Sequence, residues 1–284
     1  MKMLHVLLLA AAFTILTFNE LNQLKLNLTN KTSSFLIKLL PGTHGEEIIN
    51  GQKAKENSLQ YMASVQYAGK HECGGFLIHP SYVLTAAHCY YSYKREYLSV
   101  VLGSHNIDWK MNRLRRYLVE SVYIYPSYRI PVLGSDIMLL KLSPEVNLND
   151  EHVKITKFSR IHQPNTNTKC QVAGWGKTEN QLSDTPNYDL MQSDVSIINI
   201  TVCKEEWAKV HYILPDNILC AGGYKTESGA CQGDSGGPLV CNGVAVGIVS
   251  FNLHKNCQYP DVPNVYTEIS AYADWIKKVI EADR

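Results

Sequence analysis

No apolar run in this chain is long enough to cross a membrane. The N-terminal stretch Leu4 to Leu16 is almost wholly apolar, yet falls short of the roughly 20 residues that a spanning helix needs. An excess of one charge is missing as well. Lys and Arg number 27 against 26 Asp and Glu, a formal net charge of +1, so bulk electrostatics favour neither nucleic acid nor an acidic membrane as partner. Eight cysteines are present without one Cys-x-x-Cys pair, which argues against a zinc or dithiol-redox site. The paired acids of a calcium loop are absent. His71, His79, His105, His152, His162, His211 and His254 show no ligand spacing with Asp, Glu or Cys. Neither a metal nor another cofactor is expected. Internal repeats and low-complexity tracts are also lacking.

What is present fits a secreted globular chain. Its 284 residues are 45% hydrophobic, enough for a sizeable core. All eight cysteines lie between Cys73 and Cys257, an even number that suits a disulfide framework made in an oxidising compartment. Residues 1–18 read as a secretory signal: Lys2 ahead of the apolar run, then Ala10, Ala11 and Ala12 as small residues for cleavage. Residues 19–47 are polar, Asn- and Leu-rich, and read as a removable leader with two acceptor patterns at Asn27 and Asn30.

From Ile48 onward the texture is β-rich. Short runs such as Tyr61 to Tyr67, Gly75 to Ile78, Leu98 to Leu102, Ile137 to Leu142, Cys170 to Val172, Met191 to Ile198 and Val244 to Ser250 are separated by Gly, Pro, Asn and Ser clusters. That spacing suits antiparallel barrels or sandwiches. The one convincing helix is the last, 271–282, where Ala273, Trp275, Ile276, Val279 and Ile280 recur near helical spacing. The polar stretch Ile161 to Thr168 is the best candidate for a linker between two halves.

The stretch Gly229 to Pro238 carries the chemistry. Ser235 stands between glycines that leave the backbone amides uncovered, so the N–H groups of Gly233 and Ser235 can converge on one point as an oxyanion hole. Thr85-Ala86-Ala87-His88-Cys89 places a histidine beside a cysteine able to lock it, and Asp136 begins an apolar strand. A serine hydroxyl needs a base to take its proton, imidazole serves near neutral pH, and a buried carboxylate orients the imidazolium. Only a tertiary fold can bring His88, Asp136 and Ser235 together.

With Ile48-Ile49-Asn50-Gly51, Cys73-Gly74-Gly75, Gly174-Trp175-Gly176, Gly247 to Ser250 and Val265-Tyr266-Thr267, these segments resemble the trypsin/chymotrypsin-type serine peptidases. The order His, Asp, Ser is the one that family uses. The resemblance implies an all-β fold: two six-stranded antiparallel β-barrels with the active site between them, and a C-terminal α-helix. It assigns 48–284 to the peptidase domain, with the first barrel about 48–160, the second about 161–270 and the helix 271–282. Bridges carried over by position are Cys73 to Cys89, Cys170 to Cys241, Cys203 to Cys220 and Cys231 to Cys257.

The resemblance also implies a zymogen. Cleavage between Glu47 and Ile48 by an activating peptidase frees an α-ammonium that inserts beside Asp234, giving a buried carboxylate its partner. Glu46-Glu47 is similar to the acidic dipeptide that granzymes and mast-cell proteases lose, which places the chain nearest those granule enzymes; the long leader departs from their short propeptide. Primary specificity is expected from Gly229 at the pocket floor, Ser250, Phe251 and Asn252 along the entrance wall, and Asn264. Without an Asp at the floor, cleavage after Lys or Arg is disfavoured, and an apolar, aromatic or small polar side chain is expected. The expected partners are protein and peptide substrates, serpin-type inhibitors, and a sulfated glycosaminoglycan docking on Lys110, Arg113, Arg115 and Arg116. Asn199-Ile200-Thr201 is a glycosylation acceptor pattern. The protein is expected as a monomer, secreted or stored in a secretory granule. Two alternatives remain: a trypsin-like digestive or clotting enzyme, and a silent homologue that binds without cutting.

Overall fold

The computed structural model describes residues 51–90, 95–110, 114–161, 163–177, 187–226, 228–253 and 262–282. The signal and leader readings, Ile48, Arg113, His162, His254 and Cys257 lie outside them.

A first closed barrel runs, in neighbour order, through β2 (Met62–Tyr67), β3 (Lys70–His79), β4 (Tyr82–Thr85), β7 (Met138–Ser143), β6 (Arg115–Ile124) and β5 (Leu98–Leu102), which returns to β2. All six pairings are antiparallel. Phe76, Leu77, Leu84, Val100, Leu102 and Leu139 belong to the core cluster built around it and are fully buried. Closure removes every free sheet edge, the usual weakness of an all-β chain.

The second barrel runs through β9 (Lys169–Gly174), β10 (Met191–Ile198), β11 (Ile218–Ala221), β14 (Asn264–Glu268), β13 (Val244–Phe251) and β12 (Pro238–Cys241), which pairs back with β9. In β10 the residues Met191, Ser193, Val195 and Ile197 are buried and their neighbours less so, the alternation of a strand with one face on a core. Two short strands join this sheet from the first half: β1 (Gln52–Lys53) beside β10, and β8 (Lys157–Phe158) parallel to β13. Thus β8 already belongs to the second sheet before the polar stretch 161–168 begins.

Strand β2 is buried on both faces, and that is how the barrels seat. Ala63 and Val65 face the first core, while Met62 joins Ala173 and Trp175 of the second half in a shared apolar cluster. The last helix, here α2 (Ala273–Ala282), follows a 3₁₀ turn at Ile269–Tyr272. Its buried Ile276 packs on the first barrel's core, and Trp275 meets Tyr125 edge to face at 5.4 Å. The chain's final element therefore closes over its first barrel.

One helix departs from the sequence expectation, α1 (Ile200–Lys209). Only Cys203 and Trp207 are buried on it, too few apolar positions to produce a helical stripe. Asn199 starts it: its Oδ1 accepts from the Thr201 and Val202 N–H groups at 2.9 and 3.4 Å, an N-cap worth about 1 kcal/mol. A bridge from Cys203 to Cys220 ties α1 to β11. The pairs Cys73–Cys89 and Cys170–Cys241 are also formed; the fourth expected bridge falls on Cys257. Among the described residues, no helix is long and apolar enough to cross a membrane.

Candidate active site

His88 sits on a one-turn 3₁₀ segment, Ala87–Cys89, that the Cys73–Cys89 bridge fastens to β3. Its Nδ1 lies 2.7 Å from Asp136 Oδ2, and its backbone N–H donates to Oδ1 at 2.9 Å. An ionised carboxylate only accepts, so Nδ1 carries the hydrogen and Nε2 keeps its lone pair. Asp136 is wholly buried. The second barrel helps hold it: the Ser250 hydroxyl donates to Oδ2 at 2.5 Å, and the Thr267 hydroxyl donates to the Asp136 carbonyl at 2.9 Å. An acid from one barrel is thereby clamped by hydroxyls from the other.

Ser235 and His88 open on the same cavity, about 290 Å³ in volume. The Ser235 carbonyl accepts from the Gly74 N–H at 2.8 Å, which pins the serine loop to β3. Gly233 has φ of +98°, a region that only glycine enters freely, and a Cβ there would lie 2.8 Å from Gly176 Cα. The two loops touch backbone to backbone.

Asp234 is buried beneath them. Its carboxylate accepts from the Gly176 and Cys231 N–H groups at 2.9 and 2.8 Å. Burial raises its pKa to about 6, the two hydrogen bonds opposing the rise. Gly174 and Gly176 form its cradle: a Cβ would come within 2.2 Å of the carboxylate at the first and 2.6 Å at the second. Here is the steric reason for glycines on both sides of Trp175.

His71 is a site residue that sequence reasoning passed over. Its Nε2 lies 3.0 Å from the Gly233 carbonyl and its Nδ1 2.8 Å from Ser64 Oγ, with Trp175 edge to face at 5.6 Å. A carbonyl only accepts, so Nε2 is the protonated nitrogen, Nδ1 accepts from Ser64, and the Ser64 oxygen accepts from Gln66 Nε2 at 3.0 Å. Burial lowers the His71 pKa to about 4 and so keeps the ring neutral, which makes Nδ1 the acceptor once Nε2 holds the hydrogen. The one available signal was the polar pair Ser64 and Gln66 within a buried strand.

The cavity is lined by Ala230, Cys231, Gln232 and Gly233 on one side and by Val249, Ser250, Phe251 and Asn252 on another, with Asn264 also facing it. Gly229 is buried beside Ala230 and does not itself line the space. Asn264 is 2% exposed. Helix α1 buttresses this wall, since Trp207 donates to the Pro263 carbonyl at 2.9 Å and packs on Phe251 at 5.4 Å. Of the basic group, Arg115 pairs with Asp150 at 2.5 Å, Arg116 donates to Ser99 and Lys110 lies over Trp109.

Two barrels, an imidazole anchored on a buried acid and a serine on a glycine loop define a serine peptidase. The comparisons give the family. The trypsin family matches residues 48–276. Serine protease 57 of Rattus norvegicus is 35% identical over 245 residues, 86% of each chain. Anionic trypsin of Canis lupus familiaris is 36% identical over 86% of this chain and 93% of its own length. Neuropsin, a serine protease expressed in the limbic system of mouse brain, superposes with a TM-score of 0.71 at 31% identity, covering 81% of this chain and 98% of that one. The chain belongs to the trypsin family and is a serine endopeptidase.

Proposed function

We propose that His88, Asp136 and Ser235 are the catalytic triad. Ser235 Oγ attacks the scissile carbonyl while His88 Nε2 takes its proton; the same proton then passes to the departing amine, leaving an acyl-enzyme that water hydrolyses by the reverse roles. Asp136 holds the ring in the tautomer this requires, and the Gly233 and Ser235 N–H groups receive the oxyanion. The observation that carries the reading is the 2.7 Å His88–Asp136 bond opening on the cavity that Ser235 shares.

The Asp234 cradle supports activation by cleavage between Glu47 and Ile48. A buried carboxylate with two backbone donors among the described residues is costly when ionised, and a new α-ammonium at Ile48 is the partner that would relieve it. The secretory signal and the disulfides favour a secreted enzyme, and the acidic dipeptide Glu46-Glu47 favours granule storage. Asn199 can still carry a glycan, because the helix cap uses its Oδ1 and glycosylation its nitrogen.

The pocket walls from the second barrel are neutral, with Asn264 inside, which supports an apolar or small polar side chain before the scissile bond. A peptide library randomised at that position, offered to the chain processed at Ile48, tests both claims. Cutting is expected from the wild type and not from Ser235→Ala. A Lys/Arg preference there would overturn the pocket reading; no cutting by folded protein would overturn the triad.

A further inference from the structure

The cavity carries one charge that the triad does not use. Among the described residues lining it, Glu72 is the only acid, and no lysine or arginine is present. Glu72 lies on β3 immediately before Cys73, and Gly74 two residues on donates to the Ser235 carbonyl. Two strand residues span about 7 Å, so the carboxylate reaches a substrate side chain one or two residues from the bond that Ser235 attacks.

Its side of the cleft follows from which barrel holds which half of the substrate. The oxyanion amides and the pocket wall come from 230–235, 249–252 and 264 of the second barrel, and they hold the acyl half. His88, which protonates the departing amine, and the Cys73–Cys89 bridge beside it come from the first. Glu72 adjoins that bridge and borders the departing half.

We propose that Glu72 makes this enzyme selective for a cationic side chain, Lys or Arg, at the first or second residue after the scissile bond. The inference rests on the peptidase reading of the same cleft. Partial burial already raises the Glu72 pKa, with Lys70 opposing. Glu72 is exposed at the edge of the cavity, where a substrate cation can approach it from solvent. Lys70, two residues back and near enough to act on Glu72, is exposed and competes weakly; Glu72 itself is the extra residue of a bulge between the Val65–Cys73 and Gln66–His71 pairs, and the His71 ring is engaged with Ser64 and Gly233. For a half-exposed ion pair the expected selectivity is roughly threefold to tenfold, shrinking in high salt.

The test uses the full chain processed between Glu47 and Ile48 and peptides that differ only at those two positions, carrying Lys, Ala or Glu. The readout is the ratio of kcat/KM for the Lys peptide to that for the Ala peptide within each variant, so a change in overall activity cancels. The ratio should exceed about three in the wild type, rise in Lys70→Ala, approach one in Glu72→Gln and fall below one in Glu72→Lys. Equal ratios in wild type and Glu72→Gln overturn the proposal. If no peptide is cut, the peptidase reading fails separately, and calorimetric titration of full-length Ser235→Ala with the same peptides still decides: tighter binding of the Lys peptide upholds the Glu72 assignment, and equal affinity overturns it.

Discussion

Asp136 grips His88 at two points, Oδ2 on the ring Nδ1 at 2.7 Å and Oδ1 on the backbone N–H at 2.9 Å. A carboxylate serves both donors; an amide cannot. In Asp136→Asn one contact sets an NH₂ against an N–H, and the ring escapes by moving its hydrogen to Nε2, the nitrogen needed as base. We expect kcat to fall about 10³- to 10⁴-fold with KM little changed. Steady-state kinetics on a cleavable peptide checks this, and a loss under tenfold would count against the tautomer argument.

Gly176→Ala tests the Asp234 cradle. The added Cβ would lie 2.6 Å from a carboxylate that is itself fixed by two backbone donors, so neither group has room to yield. The expected cost is about 1–3 kcal/mol of stability together with impaired activity, because the Gly233 loop rests on the same residue. Thermal melting beside kinetics reads out both; a variant as stable and active as wild type would refute the cradle.

Two buried groups pull the pH dependence of stability in opposite directions. The Asp234 pKa is raised from 3.8 to about 6, so between those values the folded chain keeps a proton that the unfolded chain releases. Stability falls as pH rises through this window, by about 3 kcal/mol in all. The His71 pKa is lowered from 6.5 to about 4, so there the unfolded chain binds the extra proton and stability rises with pH. His71→Gln keeps a donor for the Gly233 carbonyl and removes the second effect. Urea unfolding of that variant should show stability lost between pH 4.5 and 6 in the unprocessed chain. The loss should shrink after cleavage at Ile48, where an ammonium lowers the Asp234 pKa. Parallel pH curves for the two forms would exclude the pairing.

Asn264→Gly should deepen the pocket. Asn264 is 2% exposed and faces the cavity, so its removal opens volume without adding charge. We expect the ratio of kcat/KM for a Phe peptide to that for an Ala peptide to rise about tenfold. An unchanged ratio would mean that the side chain does not limit depth.

The expected runs Leu98 to Leu102 and Met191 to Ile198 coincide with β5 and β10: β5 is a short apolar run buried throughout, and β10 alternates between buried and more open positions, both local signals. Strand β6, mixed polar and apolar, was not among the expected runs. Helix α1 was not legible, because its burial rests on two residues and its start on Asn199, which also reads as a glycosylation acceptor. His71 was hidden for a related reason: a histidine's neighbours in sequence do not report that Ser64 and Gly233 flank its ring, and the second lies 162 residues away.

The sequence by itself determined the chemistry on offer: a serine among glycines, a histidine beside a cysteine, an acid ahead of an apolar strand, and cysteines in even number. Those depend on residue type and short spacing. Only the tertiary structure decided that Ser250 and Thr267 clamp Asp136 from the opposite barrel, that Gly174 and Gly176 leave room for the Asp234 carboxylate, and that Glu72 shares a cavity with Ser235. Such contacts join residues up to 163 positions apart, 235 minus 72. They exist because two closed barrels press loops together once their cores are buried, a long-range consequence of packing that no local periodicity encodes.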